Sequence, residues 1–138
     1  MLAYCSAVLC AAMIGAATIL AGEQPPDSYV KLMKDTNAAV QSLRGHVQAK
    51  DYEGMTADAA ALKKLFADTE AFWNARKADD ATSFAKTAGK AASGLEAAAR
   101  ARNEDGVATS ARTLIGTCMG CHTAHRARLP DGSSEIKH

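Results

Sequence analysis

The sequence predicts an all-α fold, an antiparallel up-down-up-down four-helix bundle, and three observations carry that prediction. All three prolines, Pro25, Pro26 and Pro130, fall outside the interval 27–129. That interval is rich in the helix formers Ala, Leu, Lys, Glu and Arg. Within it apolar positions recur at alternating steps of four and three, and no run alternates apolar and polar residues as a strand does. At 138 residues the chain has the length of one domain.

Four stripes follow in order. The first holds Tyr29, Met33, Thr36, Val40, Leu43 and Val47, with Asp27 or Ser28 available as its cap. The second opens at Asp51 and holds Met55, Ala59, Leu62, Phe66, Thr69 and Trp73. After NARKADD a third holds Phe84, Ala88, Ala91, Leu95 and Ala98, and after RNEDG a fourth holds Val107, Ala111, Leu114, Cys118, Cys121 and His125. The joins, around residues 48–51, 74–80 and 102–106, are short, and short joins make consecutive helices antiparallel neighbours. The closing LPDGSSEIKH has little apolar content and is expected to be a frayed tail.

The 16 basic and 15 acidic residues are interspersed and leave a formal charge of +1, which excludes recruitment to nucleic acid by bulk positive charge and excludes a disordered polyelectrolyte. No charged side chain precedes Glu23. Residues 1–22, MLAYCSAVLCAAMIGAATILAG, therefore read as a signal peptide, or as a membrane anchor if uncleaved, ahead of a single domain over 23–138. The leader ends in the small residues Ala21 and Gly22 but lacks the usual basic residue before its apolar core. Export is expected in either case. Cleavage would remove Cys5 and Cys10 and leave Cys118 and Cys121 as the cysteines, so a disulfide framework is not expected.

The strongest motif is CMGCH, residues 118–122. A C-x-x-C-H sequence supplies two thiols for thioether bonds to the vinyl groups of one covalent haem c, and an adjacent imidazole, His122, as an axial ligand of its iron. Covalent attachment follows export, so leader and motif support each other. Two other chemistries fit less well. Zinc would need Cys118 and His125, about 10 Å apart in rise on one helix, at the same ion. A redox C-x-x-C gains from a helix amino terminus, whose dipole lowers the thiol pKa, and this one lies late in its helix.

Over residues 27–128 the chain resembles the cytochrome c′ superfamily, four-helix-bundle c-type cytochromes with haem near the end of the last helix. CMGCHTAHR is similar to the family's C-x-x-C-H-x-x-aromatic-Arg ending, with His125 in place of the aromatic. The Phe72-Trp73 pair late in the second helix and Met33 early in the first add to the likeness, while Tyr29 stands where the family often has arginine. The resemblance implies a periplasmic location, redox partners in the periplasm or membrane, and a homodimer through the first two helices, to which an exposed Leu32 could contribute. It also implies that Arg126 contacts the haem pocket, where it could hydrogen-bond a propionate.

Candidates for the iron's other face are Met33, Met55, His46 and His125. In an antiparallel bundle the end of the fourth helix lies beside the start of the first. Met33 is then at haem level, Met55 and His46 are at the opposite end, and His125 shares a face with His122. Met33 is the distal candidate. In the family this position is a bound methionine in low-spin members and an unbound apolar residue in five-coordinate ones. By the same topology Tyr29, Phe66, Phe72, Trp73 and Phe84 map to the haem end and Tyr52 to the other. The expected function is one-electron transfer. The alternative is a binding protein for NO or CO at an open distal site. No catalytic constellation such as a peroxidase would need is legible. Two propionates would take the holoprotein from +1 to about −1.

Overall fold

A computed structural model of the chain describes residues 22–137. Apart from Gly22, the expected leader with Cys5 and Cys10 lies outside the described residues. The elements are α1 (Asp27–Ala49), α2 (Tyr52–Ala75), α3 (Asp79–Arg100), α4 (Glu104–His125), β1 (Arg126–Arg128) and β2 (Ser134–Ile136). Among the described residues no helix is long and apolar enough to cross a membrane.

Local chemistry sets the helix ends. Asp51 caps α2 by accepting from the Gly54 N–H at 3.0 Å, and Asn103 caps α4 by accepting from Gly106 at the same distance. α1 departs from expectation. Its N-cap is Pro26, with no side-chain cap, and both Tyr29 and Val30 donate their N–H groups to the Pro26 carbonyl. The pyrrolidine ring fixes φ at −58°, so proline starts the helix and Asp27 falls in its first turn, where a carboxylate suits the dipole. The joins shrink to residues 50–51, 76–78 and 101–103. Each turns through one left-handed residue, Lys50, Lys77 or Arg102, at φ 54°, 57° and 51°.

The helices pack in sequence, α1 on α2, α2 on α3 and α3 on α4. Tyr29 near the start of α1 meets Trp73 near the end of α2, and Asp80 at the start of α3 meets His125 at the end of α4, so the neighbours run antiparallel. All six members of the second stripe are buried. On α3 the buried face is mostly alanine, with Ala81, Ala85, Ala88, Ala91, Ala92, Ala98 and Ala99 beside Leu95. Side chains that small let the flanking helices approach closely. Leu62, Leu95 and Leu114 form the fully buried centre. Leu32 is half-buried, not exposed, because it lies one turn before the buried Thr36 on the same side of α1.

The carboxyl end corrects the sequence reading more substantially. β1 and β2 form an antiparallel hairpin in which Arg126 pairs with Ile136 and Arg128 with Ser134. The Pro130-Asp131-Gly132 turn closes it, with Gly132 at φ 87° and the Asp131 carboxylate accepting from the Ser133 N–H at 2.9 Å. Ile136 is 4% exposed, packed with Trp73 and Ala81, and exchanges two backbone hydrogen bonds with Glu23, at 3.0 and 2.8 Å. One buried isoleucine and these bonds suffice to order a segment whose average composition is polar. A chain lacking residues 130–138 is expected to lose about 2–4 kcal/mol, the worth of one large buried side chain with its hydrogen bonds, read as a lower urea midpoint. A frayed tail would leave the midpoint unchanged.

Candidate functional site

The one helix pair that would complete the ring, α1 with α4, does not pack comparably with the others. Between these helices lies a cleft of about 230 Å³ that opens to solvent on one side. Cys118, Cys121 and His122 line it from α4, Met33 and Tyr29 from α1, and Phe66 and Phe84 from the helices behind. A second cavity adjoins it and shares Tyr29, Met33, Asn37, Cys121 and His122, with Trp73, His125, Arg126 and the hairpin residues Ser134 to Ile136 as its further wall.

The spacing of the motif explains this arrangement. Cys118, Cys121 and His122 stand at i, i+3 and i+4 on α4 and so share one side of the helix. The two residues between the cysteines have distinct parts. Met119 points outward and is 65% exposed. Gly120 admits Phe84, since a Cβ there would meet the Phe84 ring at 2.9 Å. The α3 phenyl ring therefore packs directly on the backbone between the two thiols. Nothing in the spacing C-x-x-C-H alone indicates that glycine's role.

Burial sets the protonation states. It pushes the Cys118 thiol above its ordinary value and the Cys121 thiol up to about 11. Burial, aided by the nearby Arg126 guanidinium, holds His122 below the usual histidine value. Tyr29 is pushed up to about 12, mainly by burial and secondarily by Cys121. At neutral pH the cleft thus presents two protonated thiols and a neutral imidazole whose lone pair is available to a metal. A thiol-disulfide catalyst needs the opposite, a thiol pKa lowered toward neutrality.

Trp73 supports the rim. Its indole Nε1–H donates to the Tyr29 hydroxyl at 3.0 Å, Tyr29 stacks on Phe72 with centroids 3.9 Å apart, and Arg76 lies 4.0 Å over the Phe72 ring. The aromatics map as expected: Tyr29, Phe66, Phe72, Trp73 and Phe84 gather at this end, while Tyr52 lies at the other, bonded to Glu104. The other axial candidates are elsewhere. Met55 is buried in the core, and His46 bonds Asp58 at 2.7 Å with Gly54 beneath its ring. His125, set aside in the sequence because it shares a face with His122, bonds Asp80 at 2.9 Å and ties the end of α4 to the start of α3. Arg126 is the first residue of β1 and does not continue the helix; its side chain lines the second cavity.

No protein-family model matches the chain, and no curated protein matches it in sequence.

The donor set and walls fit a c-type haem: two unionised thiols three positions apart, a neighbouring neutral imidazole, apolar and aromatic sides, and a thioether on the facing helix. In the folded chain without haem, iodoacetamide alkylation of Cys121 is expected to be slow near pH 8 and to rise until about pH 11. The urea-unfolded chain should level off near the ordinary value, about 8.5. A folded-state plateau below that value would contradict the burial argument.

Proposed function

We propose that the protein is an exported, periplasmic one-electron carrier of the cytochrome c′ type, holding one covalent haem c in the cleft between α1 and α4. The observation that supports this most is the convergence of Cys118, Cys121 and His122 on one wall of the cleft with Met33 on the other. Each thiol would add across a vinyl group, sulfur bonding to one carbon and the proton passing to the other, so attachment needs no oxidant. Unionised thiols in a half-buried wall carry that proton with them. His122 would bind the iron as a neutral imidazole, and Met33 would face it from α1.

The haem, when bound, supplies one-electron exchange at its iron. The chain's own residues hold it, exclude water from its faces and set its potential. A thioether opposite histidine raises the potential and favours electron transfer over ligand binding. Arg126, at the edge of the second cavity, would offset a propionate charge. Redox partners in the periplasm or at the membrane follow from this role, and an uncleaved leader would add a membrane anchor. The carrier reading requires no acid-base or nucleophilic step.

The absorption spectrum tests the distal ligand. The purified holoprotein is expected to be low-spin with a methionine-to-iron charge-transfer band, and Met33→Ala should abolish the band and give a high-spin form that binds CO. A wild-type ferrous protein that is already high-spin and binds CO readily would overturn the carrier reading and select a five-coordinate NO- or CO-binding protein.

A further inference from the structure

We propose that the mouth of the cleft between α1 and α4 is a docking surface for an acidic redox partner, with Met119 as its apolar centre and Arg44 as its steering charge. This rests on the electron-carrier reading and adds where, and to what chemistry, electrons are passed.

Met119 is the exposed large apolar side chain among the described residues, at 65%. It is also one of the two residues between the thiols, so this exposed apolar side chain sits beside the proposed cofactor. A flexible thioether is well suited to contact with a variable partner surface. Gly116, one turn earlier on α4, has nothing within 4 Å of where its Cβ would be, so no packing demand accounts for glycine there. Its absence of a side chain leaves the surface beside Met119 flat. On the facing lip α1 contributes Asn37, Val40, Gln41 and Arg44. The result is an apolar centre with a polar rim, the usual anatomy of a protein interface.

The charge pattern decides the partner's sign. The residues lining this cleft include Arg44 and no carboxylate. Arg44 is exposed and has no ion-pair partner among the described residues. The adjoining cavity, by contrast, balances Asp27 and Glu135 with Lys34 and Arg126, and α2 carries Glu53, Asp58, Asp68 and Glu70 against Lys63 and Lys64. The cleft lining thus carries a cation without a carboxylate, and an unpaired cation at a concave surface raises the local concentration and encounter rate of anionic partners. That matches a partner presenting Asp and Glu, and disfavours one presenting Lys and Arg.

The test uses the reduced holoprotein in stopped-flow oxidation by ferricyanide, an anionic one-electron oxidant, and by tris(phenanthroline)cobalt(III), a cationic one. Rates are compared at low and high ionic strength and corrected for each variant's reduction potential. At low salt Arg44→Glu is expected to slow ferricyanide about tenfold and to accelerate the cobalt complex, with the difference closing as salt screens the charge. Lys90→Glu, the same net charge change on α3 outside the cleft, should alter each rate less than about twofold. Sedimentation should show that Met119→Lys leaves the oligomeric state of the wild type unchanged. Haem retained and oxidised with the same charge selectivity in wild type, Arg44→Glu and Lys90→Glu would overturn the docking surface alone. A dimer that Met119→Lys dissociates would overturn it in favour of self-association. Absence of covalent haem from the wild type would overturn the carrier reading itself.

Discussion

The Trp73 side chain is the constraint on which the cleft depends, because it reaches every element that borders it. It is 3% exposed, donates to Tyr29 of α1, packs edge-on against Phe72 of α2, buries with Ala81 of α3 and Ile136 of β2, and lies 5.2 Å from the His125 ring of α4. A bundle in which the first and last helices fail to pack must hold their ends by some other means. Here one indole and its partners tie together the start of α1, the end of α2, the start of α3 and the end of α4. The two helices bearing Met33 and His122 can then stand apart without the fold opening, and the hairpin completes the knot by bringing the two described ends of the chain together through Glu23 and Ile136.

The distribution of side-chain size along the bundle follows the same division. Away from the cleft, α3 presents alanines and the core closes around Leu62, Leu95 and Leu114. At the cleft end the large rings Tyr29, Phe66 and Phe84 line open space and do not fill it. Gly120 marks the boundary, since its missing Cβ lets Phe84 rest on the α4 backbone between the two cysteines. On the reading proposed above, a flat apolar cofactor would fill the space these rings line. The same burial that would seat the cofactor keeps Cys118 and Cys121 protonated and His122 neutral, so packing and ligand chemistry are set together.

What could be read in the sequence was what depends on near neighbours. Helical periodicity gave the four stripes, and for α2 every predicted position is buried, because spacing of three and four on a helix is a local rule. Short joins gave the antiparallel order, and that order alone put Met33 and the CMGCH residues at one level, where they line one cleft. What could not be read depends on partners far apart in the chain. His125 bonds Asp80, Ile136 lands on Trp73, and Gly120 answers to Phe84, none of which a local pattern encodes. The hairpin is a partial exception. Its Pro130-Asp131-Gly132 turn was visible, but the weight given to average polarity hid the single isoleucine that anchors it. The α1 start was misplaced for a different reason: proline's fixed φ outweighed the hydrogen-bonding capacity of Asp27 and Ser28.

The most direct measurement of the central claim is the mass of the intact, fully denatured protein after expression with a haem-attachment system that loads a control c-type cytochrome in the same cells. The wild-type chain should carry the added mass of one haem, retained in denaturant and located to the proteolytic peptide containing residues 118–122. The double substitution Cys118→Ala, Cys121→Ala should show the mass of the chain alone. A wild-type protein at the mass of the chain alone would contradict the claim that the cleft between α1 and α4 is built to hold a covalent haem.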